Sequence, residues 1–113
     1  MLPAANRLKR DQDFQQVARQ GRYSYSSWLT IKYVPNRLPL SRFGLVVSTK
    51  VDKRAVIRNR IRRQVREIIR LKLAKIKPGF DVMIVLKKAA IGQKHADLSQ
   101  DLFEVLEKAK LLC

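Results

Sequence analysis

The chain has 113 residues, 46% of them hydrophobic, and its 25 Lys and Arg against 9 Asp and Glu give a formal net charge of +16. That length suits one domain, residues 1–113, with a single modest core, and so unbalanced a charge calls for an anionic partner, nucleic acid before membrane surface. No run of roughly 18 apolar residues is present to cross a bilayer, the opening MLPAANRLKR has no apolar signal region, and the single cysteine, Cys113, supplies neither a disulfide framework nor a ligand cluster, so a reducing, cytoplasmic setting is the expectation.

Residues 1–10 read as a short basic lead-in, expected to be partly mobile. A first helix is predicted from an N-cap at Asp11 or Asp13 through Arg19, with Gly21 just past its end. Phe14, Val17 and Ala18 give it a narrow apolar stripe. Tyr23–Ser27 is polar and aromatic and reads as an edge strand or a loop. In residues 28–34, WLTIKYV, Leu29, Ile31 and Tyr33 alternate with Thr30 and Lys32, the pattern of a strand with one face buried. Pro35, Asn36 and Pro39 mark a connection, and residues 43–48, FGLVVS, form a second strand expected to close an antiparallel hairpin with the first.

The next stretch, Lys53 to Lys72, dominates the sequence. It reads KRAVIRNRIRRQVREIIRLK, with nine cations (Lys53, Arg54, Arg58, Arg60, Arg62, Arg63, Arg66, Arg70, Lys72) opposed only by Glu67. At 100° per residue, Ile57, Ile61, Val65, Ile68 and Ile69 fall on one arc of a helix, and Asn59, Arg62, Arg63, Arg66 and Arg70 on the other. Like charges at i, i+4 repel, so a helix built only for stability would alternate in sign. This one keeps a row of arginines, and Arg suits bidentate phosphate contact and stacking on bases. The helix is expected to run from Lys53 or Arg54 to about Lys75, stopped by Pro78-Gly79. Residues 80–86, FDVMIVL, are the most apolar strand and are placed centrally. A last helix is predicted from about Asp97 to Leu111, with Leu98, Leu102, Val105, Leu106 and Ala109 as its core stripe.

The order α-β-β-β-α-β-α implies an α+β fold, a small, mostly antiparallel sheet of about four strands packed with three helices. The unit formed by the strand at 43–48, the basic helix and the strand at 80–86 is right-handed by the general rule for crossovers. His95, the only histidine, falls in a polar loop without a Cys or paired carboxylate beside it. No Ser/His/Asp or Cys/His arrangement, no phosphate loop and no converging carboxylates can be assembled, so the polypeptide reads as a binder, with no catalytic residue and no metal ligand of its own. RNA is preferred to duplex DNA because the aromatics Phe14, Trp28 and Tyr33 can stack unpaired bases.

The signature Arg58-Asn59-Arg60, followed by Ile61, Arg62-Arg63 and Arg66-Glu67, resembles the central helix of the bacterial ribonuclease P protein subunit. Three further segments are similar to that family in order and spacing. They are Arg7-Leu8 to Gly21, through Asp13-Phe14 and Val17; Arg42-Phe43-Gly44-Leu45-Val46-Val47-Ser48-Thr49-Lys50; and Pro78-Gly79-Phe80-Asp81-Val82. The resemblance implies a protein that assists a catalytic RNA subunit in removing the 5′ leader of precursor tRNA. The RNA, with Mg²⁺ bound mainly by it, carries the hydrolysis. It also implies that Arg58, Asn59, Arg60, Arg62, Arg63 and Arg66 face RNA, while Arg54 and Arg70 extend the same basic surface. Phe14, Tyr33 and Lys50 would line a leader cleft between the first helix and the sheet, and the crossover would be left-handed.

Two departures bear on this transfer. Ala18 stands where many members carry a second cleft aromatic, and Thr49 replaces the first lysine of a pair. A one-residue slip in the strand at 28–34 would exchange Tyr33 for Lys32 in the cleft. The partners expected are the catalytic RNA and precursor tRNA, with no membrane and no obligate protein partner. The competing reading is a ribosomal or assembly protein that uses the same helix as structural glue for rRNA.

Overall fold

In the computed structural model, which describes residues 2–113, seven main elements run in the order α-β-β-β-α-β-α: α1 (Asp11–Gln20), β1 (Arg22–Tyr25), β2 (Leu29–Pro35), β3 (Arg42–Val46), α2 (Ala55–Lys72), β4 (Phe80–Leu86) and α3 (His95–Lys108). The strands form one sheet in the order β1-β2-β4-β3. β1 and β2 pair antiparallel, as do β2 and β4, whereas β3 and β4 are parallel.

The hairpin expected between β2 and β3 does not form, because β4 lies between them. β4 carries apolar side chains on both faces, and all but Phe80 and Val85 are buried. A strand apolar on both faces belongs where both faces are covered and both edges are paired. The β2–β3 connection therefore crosses the start of β4, and Asp81 pins it there. The buried Asp81 carboxylate accepts hydrogen bonds from Arg42 Nε (2.8 Å) and Nη2 (2.7 Å) and from Asn36 Nδ2 (2.9 Å). Asn36 Oδ1 in turn accepts from the Leu38 N–H at 2.8 Å, turning the loop.

Alternation along the strands divides the core. Toward α2 and α3 point Leu29, Ile31, Phe43, Val82, Ile84 and Leu86, clustered with Ile61, Val65, Ile68 and Ile69 of α2 and Leu98, Leu102, Val105 and Leu106 of α3. Toward α1 point Val34 and Met83, with Leu8 and Val17 packed on them and Phe14 partly buried alongside. This second cluster is small, so α1 covers only part of its face of the sheet.

Several local expectations shift. The lead-in is docked: Leu2 and Leu8 are 1% and 5% exposed, and Arg7 bridges to Phe43 beside β3. Burial of two leucines outweighs the ordering of a short arm. The first helix has Arg10 at its N-cap with no side-chain cap, and Asp11 and Asp13 occupy its first turn, where they complement the helix dipole. Gly21 is extended, with φ −70°, and serves close approach instead; a Cβ there would lie 2.3 Å from the Val17 carbonyl oxygen. The basic helix starts at Ala55 and ends at Lys72, continued by a single 3₁₀ turn over Leu73–Lys75. The last helix begins earlier and ends earlier than expected, so His95 is its exposed first residue. Lys110 adopts φ 60° and the Leu111 N–H returns to the Leu106 carbonyl at 3.0 Å, which closes the helix and buries Leu111.

Gly44 sets how close α1 comes to β3. A Cβ at that position would lie 2.3 Å from two atoms of the Phe14 ring. Gly44→Ala is expected to displace that ring and to cost about 1–3 kcal/mol in urea denaturation, as overpacking does. Combining it with Phe14→Leu is expected to recover part of the loss. A Gly44→Ala variant as stable as the parent would show that α1 does not press on β3.

Candidate nucleic-acid interface

Because α2 buries Ile61, Val65, Ile68 and Ile69 at 4% exposure or less, its other face is fixed toward solvent. Arg60, Arg63 and Arg70 are exposed there, and Arg58, Arg62 and Arg66 are half-buried. The arginines are not equivalent. Arg54 pairs with Asp52 at 3.0 Å, and Arg70 with Glu67 at 2.5 Å. Arg58 folds back on the loop before the helix and donates to the carbonyls of Asp52 and Lys53, both at 2.9 Å. Arg62 donates to Asn59 Oδ1 at 2.9 Å and to the Val47 carbonyl at 3.3 Å, so Asn59 positions a guanidinium.

Arg66 sits among like charges. Its pKa is lowered by burial and then by the neighbouring charges of Arg7 and Arg62. Arg7, on the N-terminal segment that docks beside β3, and Arg62 are therefore close enough to Arg66 for their charges to act on it. Sequence reasoning does not single out Arg7 as a site residue; it opens one of the segments of family resemblance, but its nearness to α2 shows only once that segment docks against β3. A concentration of like charge of this kind favours an anion that bridges the cations.

The three cleft residues are not brought together. Phe14 lies over Gly44 on the α1 face of the sheet. Tyr33 is on the opposite face, half-buried against the main core, with its ring edge-on to Phe80 at 6.3 Å between centroids. It lines a separate groove with Arg22, Phe80 and Lys110. The reason is the period of a strand: Leu29 and Ile31 claim the core, and Tyr33 follows them by alternation. Lys32, opposite Met83 in the register, is the charged β2 residue on the face of Phe14, between Thr30 and Val34. Lys50 is exposed in the β3–α2 loop and groups with Lys53, Arg54 and Lys88 around a shallow depression.

Trp28 is also half-buried against the main core. The aromatic side chains that are exposed are Tyr23 and Tyr25, at 66% and 60%. Their segment reads from sequence as an edge strand or a loop, and β1 is an edge strand. The alternation Tyr-Ser-Tyr is the available signal, since it sets both rings on one face and Ser24 on the other.

Among the described residues no three His, Cys, Asp or Glu side chains gather into a possible metal site. Asp81, Asp52 and Glu67 are each engaged by an arginine. Nor, among those residues, is any helix long and apolar enough to cross a membrane.

The family model described as Ribonuclease P matches residues 2–110. The ribonuclease P protein component of a Pseudanabaena species is 38% identical over 113 residues, covering 99% of this chain and 97% of that protein. That of a Synechocystis species is 39% identical over 112 residues, covering 98% and 90%. Among solved structures, the RNase P protein of Staphylococcus aureus is similar with a TM-score of 0.87 at 26% identity, covering 96% of this chain and 98% of that one. The RNase P protein of Thermotoga maritima gives 0.84 at 26% identity, covering 90% and 96%.

The start of α2 carries its own titration. The Asp52 carboxylate accepts the Arg54 side chain at 3.1 and 3.0 Å and the Arg54 backbone N–H at 2.9 Å. These bonds, the side-chain ones first, lower its pKa to about 2. A depressed carboxylate stabilises the fold above its ordinary pKa, and that contribution is lost as pH falls through the folded value. The Arg54 amide resonance is expected to titrate with a midpoint of about 2, and Asp52→Asn to abolish the transition. A midpoint at the ordinary carboxylate value would show that this pairing does not persist in solution.

Proposed function

We infer how this protein works from one premise: the chain belongs to the ribonuclease P protein family. It is the protein component of an endoribonuclease that matures tRNA, and this family membership sets aside the rRNA-glue alternative. In the reading we propose, the chain binds the catalytic RNA subunit through the solvent face of α2 and receives the 5′ leader of precursor tRNA on the open face of the sheet. The observation that carries it is the arginine face of α2, held toward solvent by the buried Ile61, Val65, Ile68 and Ile69, with Arg7 and Arg62 adding their charge at Arg66 and with Asp52 and Glu67 already paired to Arg54 and Arg70. Phosphates brought to that point release their counterions and relieve the repulsion among the three cations. Arg60 and Arg63, exposed and extended along the axis, continue the basic surface.

Chemistry is assigned to the RNA. The described carboxylates are dispersed, four of them paired with arginines and no three gathered, a donor set that does not fit a hydrated Mg²⁺ site, so the Mg²⁺ would sit on the RNA subunit. What the protein supplies is position: a rigid cationic helix against one polyanion and a flat, partly apolar strand surface against another. The leader surface is then Phe14 and Lys32 on one face, and neither Tyr33, on the other face, nor Lys50, in the β3–α2 loop, is part of it. Such an assembly would act in the cytoplasm.

Cleavage of precursor tRNA at low Mg²⁺ tests this reading. Stimulation is expected only when protein and cognate RNA are both present; cleavage by the protein alone would overturn it. Arg62→Ala with Arg66→Ala is expected to weaken RNA binding and to reduce the slope of log affinity against log salt by about two, one for each phosphate no longer neutralised. An unchanged slope would remove this pair from the RNA surface.

A further inference from the structure

β1 is the edge strand of the sheet, and it turns Tyr23 and Tyr25 to the same face as Phe14. The register establishes this: Tyr23 is opposite Lys32 and Tyr25 opposite Thr30, whereas Ser24 between them is buried and donates to the Val105 carbonyl of α3 at 3.0 Å on the far side. The two rings are stacked with centroids 6.2 Å apart and an interplanar angle of 27°. Lys87, which follows β4, holds its ammonium 5.4 Å from the Tyr25 ring centroid and is itself fixed by a 2.6 Å hydrogen bond to the Ser26 carbonyl.

Large aromatic side chains left this exposed on a strand gain nothing from the core. Here they are paired, held by a cation, and set on a face where neither β1 nor β2 contributes a carboxylate. Stacked rings beside fixed ammonium groups are the means by which single-stranded RNA is held without regard to its sequence. Phe14 lies above β3, the opposite edge of the sheet. Three strand spacings, roughly 14 Å, separate the two edges, with Lys32 between them. We propose that Tyr23, Tyr25 and Lys87 form a second stacking platform, which takes bases of the leader that lie beyond those beside Phe14. This rests on the leader reading above and extends it to residues on β1. The platform also offers aromatic surface on a face where residue 18 is alanine.

The test uses the enzyme assembled from this chain and its cognate RNA, with precursor tRNAs whose leaders are shortened stepwise. Wild-type affinity is expected to rise with leader length. Tyr23→Ala with Tyr25→Ala is expected to lose roughly tenfold in affinity per stacked base on long leaders only, with no change on leaderless tRNA or in binding of the RNA subunit. Tyr23→Phe with Tyr25→Phe is expected to keep the gain, because the ring and not the hydroxyl stacks. An unaffected long-leader affinity, or an equal loss on leaderless tRNA, overturns the platform. So does a variant that only weakens self-association of the free protein, which would assign the pair to a protein contact. Wild-type protein indifferent to leader length would instead remove the leader reading itself, and the platform with it.

Discussion

Four aliphatic side chains on α2, Ile61, Val65, Ile68 and Ile69, determine where every cation of that helix can go. Once they are packed among the strand and α3 residues of the main core, rotation of α2 by even a third of a turn would pull isoleucine into water and push guanidinium into the core, at a cost of several kcal/mol. The helix therefore cannot hide its charge. A chain with a net charge of +16 bears this repulsion permanently, and its surface is arranged so that a polyanion relieves it.

Within that constraint the few acids are spent on geometry. Asp81 joins Arg42 and Asn36, anchoring the β2–β3 connection to the start of β4, and Arg42 also reaches Asp13 at 3.5 Å, which ties in α1. Asp52 organises the entry to α2 through Arg54, and Glu67 engages Arg70. Arg7, Arg62 and Arg66 are among the cations left without a carboxylate, and burial and repulsion from the other two both act on Arg66. Arginines held by a carboxylate and arginines left without one are thus distinguished by their surroundings, although they are the same residue type.

The sheet makes a similar division by alternation. One face is sealed by α2 and α3. The other is covered by α1 alone, so Thr30, Lys32, Val46 and Val85 stay half-exposed and Tyr23 and Tyr25 stand free. The result is a half-covered sheet face that presents aromatic and cationic side chains together. Its existence follows from α1 being only ten residues long.

Local pattern was enough for much of this. The 3.6-residue spacing of aliphatic residues gave α2 and its two faces, strand alternation gave β2, the apolar run of 80–86 gave β4 and its place at the centre of the sheet, and the motif order gave the family. These are properties of near neighbours in the chain, which sequence displays directly. Only the tertiary structure decided that β4 enters between β2 and β3, that the lead-in docks and brings Arg7 to Arg66, and that Tyr33 belongs to the α3 side while Tyr23 and Tyr25 face with Phe14. Each of those depends on which distant segments share a surface. A one-residue difference in strand phase or a strand inserted between two others changes every neighbour while leaving the local pattern the same.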